Sequence, residues 1–243
     1  MNKYMGHSPS KERNDGVWQT LKDHVEGVTK LLCQHARFFN HPNADLDARW
    51  LGYMHDLGKY RVKFQKHRLG WNPDTQQPFK FPEEAVPHSD AGALALSVYL
   101  ETNRVTGSEL PFAVANHHGA LRSVIHLEKR LTETDRAEIN ELFNTACDEL
   151  PELDALCNET PPQPTGLTGA ARTLYTRMLL GALGGSGLKH VAGTDSAACG
   201  AVAVVSVFLS SACKSPHPCG GGCRLPSPGQ LVRLVRFSLG ALC

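Results

Sequence analysis

From Val17 to Phe39 the apolar side chains fall at Val17, Leu21, Val25, Val28, Leu31, Leu32, Phe38 and Phe39. Steps of three and four keep them on one face of a helix with 3.6 residues per turn. The pattern predicts an amphipathic helix, with Asp15 as its N-cap. His24 lies three residues after Leu21 and four before Val28, which turns it toward the core side. A second helix is predicted from Asp45 or Asp47 to Leu57, with Trp50, Leu51, Met54 and Leu57 on its inner face and Gly58 as its stop. Residues 60–88 are rich in Pro, Gln, Lys and aromatics and read as an irregular loop. A third helix is predicted after His88, capped by Ser89 or Asp90, with AGALALSVYL as its body. A fourth, PFAVANHHG, begins at Pro111 and ends at Gly119. Residues 123–150 read as an exposed charged helix pair, PPQPTG as a linker, and LTGAARTLYTRMLLGAL as a further helix. The expected class is an all-α helical bundle.

The helical pattern stops after Leu183. Of 24 acidic residues only Asp195 lies in the last 60 positions, whereas five of the eight cysteines lie there. Gly, Ser, Ala and Pro dominate. The chain therefore divides into a domain at 1–183 and an atypical tail at 184–243, expected to be an irregular, frame-shifted or disordered terminus. Cys199, Cys213, Cys219 and Cys223 lack the paired CxxC spacing of a zinc knuckle.

Composition narrows the class. The hydrophobic fraction of 41% and charged fraction of 20% are those of a globular protein. A net charge of +1 gives no global attraction to nucleic acid, so any such affinity must come from a local patch. No apolar run approaches the roughly 18 residues of a membrane span, and the polar start MNKYMGHSPSKERNDG contains no apolar signal core. These features lead to the expectation of a cytoplasmic protein without a membrane partner, with Cys33, Cys147 and Cys157 reduced.

The informative residues are polar ones on apolar faces or at helix ends: His24, His55, Asp56, His88, His117 and His118. Adjacent residues on a helix point about 100° apart. His55 and Asp56 therefore serve neighbouring sites rather than chelating as a spaced pair, and one carboxylate can bridge two ions. Imidazole with carboxylate suits first-row divalent metals. Five histidines and an aspartate exceed a closed structural zinc site and suggest two ions. Mn, Mg, Fe, Co and Ni are not distinguished by this donor set. His35 reads as structural, and His7, His41, His67, His126, His190 and His217 receive no role.

His24, HDLGK at 55–59, HSDAGA at 88–93 and HHG at 117–119 together resemble the HD superfamily of metal-dependent phosphohydrolases. Within it they resemble the stand-alone nuclease domain of the type I CRISPR nuclease-helicase, over roughly residues 15–183. The resemblance implies an HD-domain helical bundle. It implies one metal at His24, His55 and Asp56 with a late aspartate, and a second at Asp56, His88, His117 and His118. It places Lys59 beside the metals as a point charge for the scissile phosphate, with Asp56 and Lys59 as the catalytic pair. It implies a deoxyribonuclease acting on single-stranded DNA in CRISPR antiviral defence, working with a guide-RNA surveillance complex. The chain has no GxxxxGK[ST] loop, so the helicase would be a separate subunit.

GKYRVKFQKHRLGW carries Lys59, Arg61, Lys63, Lys66 and Arg68 without an acid, interleaved with Tyr60, Phe64 and Trp71. Cations along a backbone and aromatic faces for bases are what single-strand binding requires. Lys59, Arg61 and Lys63 are the expected substrate contacts. The family's late aspartate should follow Leu183 closely, but GGSGLKHVAG stands there and the next carboxylate is Asp195. Two other functions follow from these features. One is an HD phosphohydrolase of nucleotides or small phosphate esters. The other is an inactive remnant or binding module lacking the final ligand.

Overall fold

A computed structural model describes residues 3–9, 17–80, 86–118, 129, 132 and 135–192. The chain opens with strand β1 (Met5–His7), paired antiparallel to β2 (Gln19–Thr20). Helix α1 (Leu21–Ala36) follows directly. It begins four residues later than the apolar pattern, because residues 19–20 are extended and paired. Thr20, not Asp15, is the N-cap, and its side chain accepts from the Asp23 N–H. Asp15 lies outside the described residues, and Val17, counted on the inner face, is 61% exposed.

Helix α2 (Ala44–Met54) ends before the His-Asp pair. Asp56 sits at φ −111°, ψ 17°, and a 3-10 turn covers Leu57–Tyr60. Gly58 is inside this turn and does not stop α2. Its role is close approach, since a Cβ there would overlap the backbone of His88.

The stretch after it is more ordered than a loop. Helix α3 (Val62–Phe64) continues into a π-turn (Gln65–Leu69), closed by Gly70 in the left-handed region, and a small hairpin pairs β3 (Trp71–Asn72) with β4 (Gln77–Pro78). Tyr60, Phe64 and Trp71 are buried, and their side chains anchor the segment. Burial of these three aromatics, on the 3-10 turn, α3 and β3, removes them as a stacking platform for bases.

Helix α4 (Ser89–Thr102) starts after His88, which occupies the N-cap position in place of Ser89 or Asp90. Helix α5 (Leu110–Ala115) ends before His117 and His118, and Gly119 is outside the described residues. A Cβ at Gly92 would overlap the Met54 carbonyl, so the glycine of HSDAGA lets α4 press against the end of α2.

Of the helix pair expected at 123–150, residues 123–128, 130–131 and 133–134 lie outside the described residues; helix α6 (Arg136–Glu149) covers its second half, and with the following α7 (Pro151–Cys157) it buries Ile139, Leu142, Ala146, Leu153 and Leu156, so this part is not simply exposed. PPQPTG (161–166), expected as a linker, lies outside any helix or strand, as do Leu167 and Thr168, which the sequence pattern assigns to the following helix; Asn43 Nδ2 donates to the Gln163 carbonyl at 3.1 Å.

Helix α8 (Gly169–Ala192) packs Tyr175, Leu179, Ala182 and Leu183 into the core and runs through the change in composition. The rest of the tail, with Asp195, lies outside the described residues. Leu21, Val25, Val28 and Leu32 of α1 meet Trp50, Leu51 and Met54 of α2 in one core cluster. Each such side chain contributes about 1.5–3 kcal/mol. The fold is all-α apart from the two small hairpin pairings, and no described helix is long and apolar enough to cross a membrane.

Candidate metal centre

The break between α2 and the 3-10 turn decides the chemistry. Continuing the helix would send His55 and Asp56 in different directions. The altered backbone at Asp56 instead turns its carboxylate into the interior, where it is 2% exposed. Four elements converge on it. Helix α1 supplies His24, the end of α2 His55, the start of α4 His88, and the turn after α5 His117 and His118.

The two carboxylate oxygens face different groups. Oδ2 lies 2.9 Å from His24 Nε2 and 3.1 Å from His55 Nε2. Oδ1 lies 3.4 Å from His88 Nε2 and 3.6 Å from His117 Nε2. His118 Nε2 is 2.6 Å from His88 Nε2. Two sets of ligating atoms result, His24–His55–Asp56 and Asp56–His88–His117–His118, each gathered within 4.8 Å. They share only Asp56.

Outer hydrogen bonds set the tautomers. His55 Nδ1 donates to the Gly52 carbonyl and His117 Nδ1 to the Val114 carbonyl, both at 2.7 Å. A carbonyl can only accept, so each neutral ring presents a lone pair at Nε2. Phe64 packs edge-on against His88, with ring centroids 4.9 Å apart.

These residues fit a cation. Asp56 Oδ1 and His117 Nε2 are buried acceptors without a hydrogen-bond donor, yet they point at one another. Two lone pairs in a buried space are costly unless positive charge lies between them. Burial also favours the neutral form, the one that binds metal, at three of the histidines. Burial lowers His24 well below its ordinary value, and lowers His88 to about 3 and His118 to about 4. Burial alone would raise the Asp56 carboxyl, but His55, Lys59 and its contacts with His117 and His24 hold it well below the usual carboxylate range.

Lys59 is 4% exposed, and its Nζ donates to Asp56 Oδ2 at 2.8 Å and to the Gly6 carbonyl at 3.0 Å. The other two cations named from the sequence lie elsewhere. Arg61 makes a two-pronged ion pair with Glu138 at 2.9 and 2.8 Å and donates to the Pro87 carbonyl. Lys63 is exposed on α3.

One residue without a sequence signal is present. The ring of His7 packs edge-on against His24, with centroids 4.6 Å apart. It lies in a strand of three residues, too short for periodicity to mark its inner face.

Residues 15–180 match the protein family described as Cas3, HD domain. No curated protein and no solved structure matches the chain.

Proposed function

This chain belongs to the Cas3 HD-domain family, an HD-type metal-dependent hydrolase family, and on that premise we propose that it is a nuclease hydrolysing single-stranded DNA in CRISPR antiviral defence. The observation that supports this reading best is the divided Asp56 carboxylate, with one histidine group on each oxygen. His24, His55 and Asp56 would hold one divalent ion. Asp56, His88, His117 and His118 would hold a second. When bound, such ions supply Lewis acidity and charge neutralisation at a phosphodiester.

The side chains do the rest. His55 and His117 have their rings oriented by the Nδ1–carbonyl bonds so that Nε2 faces the Asp56 side. Lys59 brings a fixed positive charge to the inner side of the centre. Lys63, exposed on α3, and Arg61, held to Glu138 through two hydrogen bonds, are the further substrate contacts in this proposal. The catalytic unit in this proposal is 1–183, with α8 continuing across its end into the tail at 184–243. A separate helicase, a guide-RNA surveillance complex and a cytoplasmic location belong to the same proposal.

The test is incubation with a labelled single-stranded oligonucleotide and, separately, a panel of nucleotides, with Mn²⁺ or Mg²⁺. Oligonucleotide cleavage that stops on chelation is expected. Hydrolysis of nucleotides alone would overturn the nuclease reading in favour of a small phosphate ester. No turnover and no bound metal in a folded chain would leave a binding module.

A further inference from the structure

Strand β1 precedes the residues matched to the family, which begin at 15, yet it touches the metal centre twice. The Gly6 carbonyl accepts from Lys59 Nζ at 3.0 Å, while the same ammonium donates to Asp56 Oδ2. One residue later the His7 ring packs on His24. The approach is close enough that a Cβ at Gly6 would stand 2.8 Å from His24 Cβ.

The strand is itself fastened to the segment beyond the His-Asp turn. Gln65 is fully buried. Its Oε1 accepts from the Met5 N–H at 3.0 Å, and its Nε2 donates to the Met5 carbonyl at 2.9 Å and the Lys59 carbonyl at 2.7 Å. The Leu21 N–H donates to the Tyr4 carbonyl, and Trp71 Nε1 to the Lys3 carbonyl. Strand β1 thus joins the start of the helix carrying His24, the turn carrying Asp56 and Lys59, and the segment after it.

We propose that strand β1 is a positioning element of the inner metal pocket, with His7 and Gln65 as positioning residues. This rests on the metal reading above. His7 is not among the atoms that converge on either pocket, so its part is to brace the His24 ring rather than to ligate. Gln65 sets the height of the strand, and the Gly6 carbonyl then holds the Lys59 ammonium to one side of Asp56 Oδ2. A braced His24 and a tethered Lys59 leave the inner pocket shaped before an ion arrives. Outer partners of this kind change metal affinity by about 10–100-fold.

The test uses the full chain, with Mn²⁺ titrated by calorimetry and folding checked by circular dichroism melting. His24→Ala and His118→Ala identify which uptake step belongs to the inner and which to the outer pocket. His7→Ala and Gln65→Ala are expected to weaken the inner step by about tenfold and leave the outer step unchanged. His7→Phe, which keeps the ring, is expected to restore it. Wild-type titration curves for His7→Ala overturn the proposal, as does a His7→Phe as weak as His7→Ala, which would place the effect in the imidazole nitrogens. Should Gln65→Ala not fold, the two His7 variants decide alone. A wild-type chain that takes up no Mn²⁺ refutes the metal reading itself, a different result from an unaltered variant.

Discussion

The two sides of Asp56 are built on different principles. On the Oδ2 side His24, His55 and Lys59 are all buried, and Lys59 already supplies a positive charge. On the Oδ1 side His88 is partly exposed and His118 is exposed, and the facing atoms are lone-pair donors. A buried carboxylate needs a cation. The Oδ2 side carries one in its own chain, whereas the Oδ1 side would take its cation from solution under the proposed metal reading. A phosphate ester would also have to approach from the outer side, where solvent reaches the histidines.

The most damaging change to this arrangement is Asp56→Asn, which removes the shared ligand from both pockets. Calorimetric uptake of Mn²⁺ should disappear, and oligonucleotide hydrolysis should fall to background. Retention of one full equivalent of Mn²⁺ would show that the pockets do not depend on a common carboxylate.

Lys59→Met strikes the inner side alone. It leaves a buried carboxylate without its ammonium, a defect of about 3–5 kcal/mol. Without metal, the urea midpoint should drop accordingly. With saturating Mn²⁺ much of the loss should return, because an ion bound only by the folded state stabilises it. A deficit that Mn²⁺ does not alter would mean that the ion and the lysine do not serve the same carboxylate.

His118→Ala strikes the exposed side. Metal-free stability should be unchanged within about 0.5 kcal/mol, as for other surface substitutions. The outer Mn²⁺ step should weaken by at least the roughly 10–100-fold that loss of a mere outer partner costs. This contrast with Lys59→Met, read by the same urea titration, is the sharpest separation of the two pockets.

The smallest effect is in pH. Burial holds His88 at about 3 and His118 at about 4. Both lie below the unfolded value of about 6.5. On acidification the unfolded chain therefore takes up protons that the folded chain refuses, and stability falls as pH drops from about 6.5 toward about 4. Asp47 works in the opposite direction. Burial raises its carboxyl to about 7, only partly offset by the hydrogen bond donated from Tyr175, at 2.7 Å. Its folded form binds a proton that the unfolded form has released, so it adds stability as pH falls through that window. Asp47→Asn should make the acid-side loss of metal-free stability steeper, and His118→Ala should make it shallower. Thermal melts from pH 7 to 4 check both, and equal slopes in the two variants would contradict the assignment.

Much of this centre was legible without coordinates. Apolar steps of three and four placed His24 on an inner face, and HDLGK, HSDAGA and HHG marked the other residues that gather around Asp56. Less legible were the elements whose form depends on distant neighbours. Gly58 looks like a helix stop but is small because His88 comes against it. Tyr60, Phe64 and Trp71 look like a base-stacking surface among cations, yet they are core, since a spacing near four serves either purpose. Arg61 looks like a phosphate contact until Glu138, 77 residues away, is brought beside it. His7 had no pattern to mark it at all.

The residue types and their order along the chain were enough to determine an all-α bundle and a set of imidazole and carboxylate donors, because helix periodicity and ligand chemistry are local properties. Tertiary structure alone decided that Asp56 splits its oxygens between two groups, that Lys59 sits on one of them, and that an N-terminal strand braces the same side. Those outcomes depend on contacts between residues tens of positions apart, and local sequence does not encode the distance between them.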